Sequence, residues 1–249
     1  MKKINLKFYA LFIGGVLFNQ LNAQTWSIAP TLGTNFSTVS VTNKGVAKDD
    51  YGYRMGFAIG ATAEYKYKPR IYFRPAANLA SSRGHQRSVY SEPIKTTFDD
   101  EASITFFDLI GDCKYTFGQK EQFFALGGLY FGYALSGTNT TTKTSETETE
   151  TKTEAITFGS ASDQRASYDL GLGLGFGYRF DINKKPLEIT AKYNLGLVNQ
   201  VNDADFIMKQ RFVSIGISYF LFNTKNTSNK SGDSPAKPKN QKGTKDEEL

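Results

Sequence analysis

The sequence has 249 residues, with 23 Gly, 20 Phe, 14 Tyr, one Cys and one His. The single Cys excludes an intrachain disulfide framework and a Cys-rich metal site, and the single His argues against a His-based metal or relay site. The net charge of +6 is not gathered on one basic face, so we predict no binding to nucleic acid.

Residues 1–23 have the features of a secretory signal peptide. Lys2 and Lys3 precede an apolar run over 8–18, and Ala23 provides a small residue before the cleavage point. The run is too short for a membrane anchor, which needs about 20 apolar residues. No later segment reaches about 18 apolar residues, so the mature chain is expected to contain no transmembrane helix.

Between residues 24 and 222, apolar residues alternate with small or polar ones, which predicts β-strands. The clearest run is 168–180, with apolar or aromatic even positions and Gly, Asp or Arg at the odd positions. Its glycines lack the spacing of a phosphate-binding loop, so they are interpreted as a packing feature. Eight runs are predicted: 25–36, 54–67, 70–82, 103–117, 123–135, 168–180, 187–197 and 213–221. The run 123–135 is apolar on both faces, which leaves its orientation open.

We predict an all-β fold, an eight-stranded antiparallel up-and-down transmembrane β-barrel. The connections 67–70, 118–121 and 181–186 are tight, whereas 38–52, 84–101, 136–165 and 199–210 are long and polar. This rhythm is typical of outer-membrane barrels with short periplasmic turns and long extracellular loops, and it puts both termini in the periplasm. A secreted soluble barrel is the alternative. The Gly-rich second face, and aromatic residues near the short turns, favour the membrane barrel.

The chain is thereby divided into a signal peptide at 1–23, a barrel domain at 24–222 and a tail at 223–249. The tail is composed mainly of Lys, Asn, Ser, Thr, Gly and Pro, with almost no apolar residue to pack. Such a composition predicts a disordered polar segment, here on the periplasmic side. Lys2, Lys3 and Lys7 belong to the predicted signal peptide, and the tail contains six Lys against four acidic residues, so the body of the barrel is expected to be close to neutral.

Five short segments, in the expected order, resemble the PorT-type outer-membrane β-barrel family of Bacteroidetes, which is similar to the small OmpA/OmpX-like class. They are 30–37 with its Gly-Thr-Asn-Phe-Ser end, 56–65, 74–84 with Arg-Pro and Ser-Ser-Arg-Gly, 192–197 with Lys-Tyr-Asn-Leu-Gly-Leu, and 216–219. Ala76 and Leu221 depart from the pattern, which often has an acidic residue and a terminal aromatic there. The resemblance implies a barrel in the outer membrane. One member of that family is an accessory of type IX protein secretion.

Candidate chemical groups are few. His85 lies near Ser81, Ser82 and Ser88, as a rim His and Ser do in some lipid A-modifying barrels, but a solvated loop His is the preferred interpretation. Asp108 and Asp112 share a face and could form an acid–base pair, although ion-paired filling is preferred. Cys113 falls on the lipid face. Glu146, Glu148 and Glu150 alternate with Thr within 138–154 but lack calcium-loop spacing, so a solvated or hairpin-extended loop is preferred over a weak cation site. No catalytic, cofactor-binding or metal site is predicted.

The second face of the strands carries charges of both signs, predicted to fill the interior. The cations are Arg54, Lys66, Arg74, Lys114, Arg179 and Lys192, and the anions are Glu64, Asp108, Asp112, Asp169 and Glu188. Eight strands leave an interior just wide enough for side chains. We therefore predict a plugged core with at most isolated waters, crossed by long side chains that the glycines of 171–177 accommodate.

The predicted function is that of a non-enzymatic outer-membrane barrel with a structural or surface-interaction role. Its expected partners are outer-membrane lipid and lipopolysaccharide, the barrel assembly machinery, and proteins that contact the extracellular loops 38–52, 84–101 and 136–165. An accessory role in type IX secretion is the alternative, and lipid A modification is a weaker one. No cofactor is expected.

Overall fold

The computed structural model describes residues 26–43, 51–91, 96–202 and 206–223, which form ten antiparallel strands. The predicted signal peptide at 1–23 and residues 224–249 of the predicted tail lie outside this part. The strands are β1 Trp26–Asn43, β2 Gly52–Lys68, β3 Ile71–Ser91, β4 Thr96–Phe117, β5 Phe123–Thr144, β6 Thr149–Ala155, β7 Tyr168–Ile182, β8 Lys185–Gly196, β9 Phe206–Tyr219 and β10 Phe222–Asn223.

Eight of the strands form the ring of a barrel. Neighbours pair in the order β1-β2-β3-β4-β5-β7-β8-β9, and β9 pairs back with β1 from Thr31↔Ser218 to Asn43↔Phe206. β6 pairs with β5 outside the ring, and the short β10 pairs with the start of β1. The predicted all-β, eight-stranded architecture is confirmed. The described residues contain no helix long and apolar enough to cross a membrane.

Tight turns join β2 to β3, β4 to β5 and β7 to β8, all at one end of the ring, called here the turn end. Asn183 and Lys184 both have positive φ, 52° and 64°, as the two central residues of a type I′ hairpin turn require. Asn tolerates that backbone well. The opposite end, where the longer connections lie, is called the loop end.

The outer face of the ring is apolar and exposed, as the alternation predicts. Leu174 and Phe176 of β7 are 72% and 69% exposed, whereas Asp169 on the other face is fully buried. A soluble barrel of this size would bury such side chains, while a lipid-facing surface keeps them outward. Cys113 is also exposed on this outer face.

The orientation of β5, which the sequence leaves open, is defined by the structure. Phe124, Leu126 and Tyr130 point inward and are buried, whereas Phe123, Leu129, Phe131, Tyr133 and Leu135 are exposed on the outer face. Glycines of β7 make room for the inward rings. A Cβ on Gly177 would lie 2.2 Å from Phe124 Cζ, and one on Gly171 would lie 2.4 Å from the Tyr130 ring.

The loops predicted at 84–101 and 136–165 are wrong over much of their length, because the strands continue well past the ring, and 138–154 has the hairpin-extended form of the two considered for it. β3 and β4 stay paired up to Ser91↔Thr96, β5 continues to Thr144, and β6 folds back on it from Thr144↔Thr149 to Thr138↔Ala155. Residues 86–91, 96–102, 138–144 and 149–155 thus form a four-stranded protruding sheet. The segments 138–144 and 149–155 are rich in Thr, a β-branched residue that favours strands, but they are polar on both faces and so give no apolar alternation.

A folded cap, residues 156–166 with 199–202, covers the loop end. Ile156 and Phe158 pack against the inward residues Ile104, Phe106 and Ala134. The Asn202 amide donates to the backbone carbonyls of Gly159, Ala161 and Gln164 at 2.9–3.1 Å. The second half of the predicted loop 136–165 is therefore held on the barrel mouth.

Candidate functional site

A lower ionic cluster fills the interior near the turn end. It consists of Glu64, Arg74, Lys114, Arg179 and Glu188, contributed by five different strands. Lys114 Nζ lies 2.6 Å from Glu64 Oε1, and Arg74 Nη1 donates to Glu188 Oε2 at 2.9 Å. Lys114 also pairs with Glu188, and Arg179 pairs with both glutamates. Because its members come from opposite walls, the cluster closes the cross-section of the barrel.

The lower ionic cluster holds three cations against two carboxylates, and an aromatic ring compensates part of the excess. The Lys114 ammonium lies 4.2 Å from the centroid of the Phe124 ring, and the Arg74 guanidinium lies 5.8 Å from it. Cation–π contacts are strongest where the cation is desolvated. The inward Phe124 therefore has an electrostatic role as well as a packing one.

An upper ionic cluster is centred on Arg83, which is fully buried. Arg83 Nη2 donates to Asp108 Oδ1 at 2.6 Å, and Nη1 lies 3.4 Å from Asp169 Oδ2. The guanidinium also lies 4.0 Å from the ring centroid of Phe106 and 4.7 Å from that of Phe212. The Tyr130 hydroxyl donates to Asp169 at 2.8 Å. This cluster forms a second barrier across the interior.

Arg83 is the central interior residue that the sequence interpretation omits, and a β-bulge explains the omission. Asn78 pairs with Asp108 and Ser81 with Phe106, so β3 has one extra residue at this point. The bulge reverses the in–out alternation. The inward positions change from Arg74, Ala76 and Asn78 to Ser81, Arg83 and His85.

A cavity of about 110 Å³ separates the two clusters. Lys192 and Asp112, paired at 2.5 Å, line it together with Asn78, Asn194 and Ser214. One water needs about 10–15 Å³ by this measure, so the cavity has room for several waters. The interior at this level is therefore less tightly filled than a plugged core requires, because β1, β2 and β9 contribute the small residues Gly33, Ala58 and Gly216.

The structure separates the residues predicted as possible catalytic pairs. Asp108 and Asp112 bind different cations, Arg83 and Lys192. His85 lies within β3 and is 6% exposed, instead of in a solvated loop, and its Nδ1 makes no hydrogen bond. Ser81 accepts a bond from Asn35, Ser82 is buried beside it, and the Ser88 hydroxyl donates to Asp99. No Ser–His pair occurs among these groups.

The remaining predicted charges lie toward the ends of the ring. Arg54 pairs with Glu101 near the loop end, and the exposed Lys66 lies 5.6 Å from the Tyr72 ring at the turn end. Glu146, Glu148 and Glu150 belong to the tip and first residues of the β5–β6 hairpin. Within the described ranges, no group of three or more His, Cys, Asp or Glu is arranged to hold a metal ion.

A ring of eight strands with an apolar exterior and an ion-paired interior defines a small outer-membrane β-barrel. Residues 18–202 match the family described as Outer membrane protein beta-barrel domain, and the chain belongs to this family. It is therefore a bacterial outer-membrane protein. No curated protein matches the chain.

Solved barrels from other bacteria are similar at low identity. The attachment invasion locus protein Ail of Yersinia pestis is 12% identical, with a TM-score of 0.36 over 79% of this chain and 99% of that one. OprG of Pseudomonas aeruginosa is 16% identical, with a TM-score of 0.33 over 81% and 97%. The outer membrane protease OmpT of Escherichia coli is 10% identical, with a TM-score of 0.33 over 80% and 97%.

Proposed function

We propose that this protein is a non-enzymatic surface-interaction barrel. In this proposal the loop end faces the cell exterior, the turn end and both termini face the periplasm, and the protruding sheet makes contacts outside the membrane. The outward apolar belt of the ring would be solvated by outer-membrane lipid.

The protruding sheet is the observation that carries the proposal. All seven residues of β6 are exposed, and among the described strands β6 pairs with β5 alone. On the other side, β3 beyond Gln86 pairs with β4 and no longer with β2. Among the described residues, no strand pairs with either outer edge of the sheet, and edges without a paired strand are templates for binding another chain.

The interior supports this role better than transport. Two ionic clusters and a cap lie in series along the barrel axis, and the charges at each level are of mixed sign. A selective channel would more commonly have a ring of charges of one sign. Function is therefore assigned to the surface beyond the membrane.

A trimmed barrel tests the proposal. Residues 139–154 are replaced by an Asn-Gly turn, which suits a two-residue hairpin, and the product is checked for the slower gel migration on boiling that closed barrels show. Nanodiscs holding the full chain should capture intact cells of the producing species, and nanodiscs holding the trimmed barrel should not. Empty nanodiscs serve as the control. Equal capture by the two barrels would contradict the proposal.

Two assays distinguish the alternatives. A role as a PorT-type secretion accessory requires that deletion of the gene blocks release of type IX cargo. The trimmed barrel is then expressed in the deletion strain, and cargo release is measured again. Restored secretion together with lost cell capture would separate the two activities. Lipid A modification requires that His85→Ala alters the mass spectrum of lipid A.

A further inference from the structure

The turn end of the barrel carries mostly positive charge. The three tight turns contain five cations, all exposed and called here the basic collar: Lys68, Arg70, Lys120, Lys184 and Lys185. The same turns contain two carboxylates, Glu121 and Asp181. Glu121 Oε2 accepts hydrogen bonds from the inward-facing Thr116 hydroxyl at 3.2 Å and from the Tyr72 hydroxyl at 3.5 Å. This carboxylate is therefore directed toward the lumen, while the cations of the collar are exposed.

The protruding sheet has the opposite balance of charge. Its carboxylates outnumber its cations, with Asp99, Asp100, Glu101, Glu150 and Glu154 against Arg87, Lys143 and Lys152. The sequence that follows β10 does not offset the positive charge of the turns, because residues 224–249 contain six Lys and four acidic residues. The three turns and the protruding sheet thus have net charges of opposite sign, which favours an anionic partner at the turn end.

The basic collar lies at the level of the aromatic residues near the turns. Lys68 Nζ lies 5.3 Å from the centroid of the Tyr67 ring, and Lys185 Nζ lies 6.0 Å from that of Tyr219. Tyr67 is exposed on the outer face of the ring, and Lys185 is in the same outward phase of β8 as the exposed Ile189. Aromatic side chains of outer-membrane barrels lie at the membrane interface. The ammonium groups beside them are therefore at the height of lipid head groups.

We propose that the basic collar binds the phosphate groups of anionic phospholipids in the leaflet around the turn end. Such head groups are anionic, and they lie directly beside the apolar belt of the ring, where Lys185 points outward. Each Lys or Arg near an anionic membrane surface adds to the attraction. Cations on separate turns can contact separate head groups, so the lipids need no common pocket. The inference rests on the proposed function only for the orientation, which makes this the periplasmic leaflet.

Trp26, the only Trp of the chain, can report on these lipids. It begins β1 at the turn end, and its ring lies 5.2 Å from that of Tyr65. The full chain is refolded into phosphatidylcholine vesicles that contain brominated phosphatidylcholine or brominated phosphatidylglycerol, and quenching of Trp fluorescence gives the relative affinity of the two lipids. Phosphatidylglycerol should be preferred about threefold or more at low salt. The preference should fall in about 1 M NaCl, which screens exposed charges.

The collar can be neutralised without straining the turns. Arg70 and Lys184 have φ of 67° and 64°, and Gly adopts positive φ more readily than either residue. The triple variant Arg70→Gly, Lys184→Gly and Lys185→Gln should therefore fold, as checked by the gel shift on boiling. Its preference for phosphatidylglycerol should fall close to parity with phosphatidylcholine. If the triple variant does not fold, Lys185→Gln alone is measured, and a partial loss of the preference is expected.

The matched control removes three cations at the other end of the molecule. Lys143→Gln, Lys152→Gln and Lys209→Gln together change the net charge by the same amount and should leave the preference intact. Equal quenching of the full chain by the two lipids overturns the proposal in favour of a soluble acidic partner, and an undiminished preference in the folded collar variant overturns it as well. The assay contains no cells and both leaflets have one composition, so neither cell capture nor the direction of insertion affects the result.

Discussion

Arg83 of β3 and Asp108 of β4 form a 2.6 Å ion pair in the middle of the barrel, and both side chains are buried. The guanidinium is also enclosed by two aromatic rings and approached by Asp169. Removing a partner from such a group leaves an uncompensated buried charge, which costs more than an exposed ion pair contributes.

Arg83→Met should therefore destabilise the barrel by about 3–5 kcal/mol, because Asp108 and Asp169 lose their shared cation. The measurement is equilibrium unfolding by urea in lipid vesicles. Arg54→Met, at the partly exposed pair with Glu101, is the matched control and should cost less than about 1 kcal/mol. Similar losses for the two variants would show that the central pair is not structural.

The space that the inward glycines leave for neighbouring side chains can be tested by substitutions that do not change the charge. A Cβ at Gly132 would lie 2.7 Å from both Arg83 Nη2 and Asp108 Oδ1, whereas one at Gly111 would meet nothing within 4 Å. Gly132→Ala should cost about 1–3 kcal/mol through overpacking. Gly111→Ala, read out by the same unfolding curves, should be close to neutral. The opposite order would reverse the assignment of the inner and outer faces.

An added charge should lower the free energy of unfolding more on the lipid-facing surface of the ring than in the protruding sheet. Leu174 is 72% exposed on the outer face of the ring. Leu174→Arg should destabilise the barrel in bilayers by about 2–4 kcal/mol if the residue lies near the midplane. Thr151→Arg in the protruding sheet should change stability by less than about 0.5 kcal/mol. A neutral Leu174→Arg would be inconsistent with the membrane belt.

The two ionic clusters predict a barrel without a steady pore. Reconstitution into planar bilayers should give no reproducible single-channel conductance, although the cavity between the clusters has room for water. A porin added to the same bilayers verifies that openings are detectable. A stable open state of constant size would refute the closed interior and favour transport.

The sequence predicts the outer face well because lipid demands apolar residues at alternate positions. This holds for Leu174 in β7 and Ile217 in β9. The interior is harder to predict, since one inserted residue in β3 reverses the alternation, so the inward orientation of Arg83 does not follow from the pattern before it. The orientation of β5 is undetermined by sequence because Phe124 and Tyr130 are as apolar as the outward residues. These rings pack on cations that come from distant parts of the chain.

Apolar alternation does not predict the strands of the protruding sheet, for a different reason. Residues 138–144 and 149–155 have polar side chains on both faces, so no apolar period marks them as strands. Their pairing depends on the Thr backbone preference and on the register set by the hairpin at Ser145 and Glu148.

The lower ionic cluster also bears on how the barrel assembles. Its two carboxylates come from β2 and β8, while its cations come from β3, β4 and β7. A barrel that had inserted its first strands without β8 would expose Lys114 and Arg74 to the bilayer with half of their counter-charge missing. We expect partially inserted intermediates to be strongly disfavoured, so that insertion and closure of the ring occur as one cooperative event.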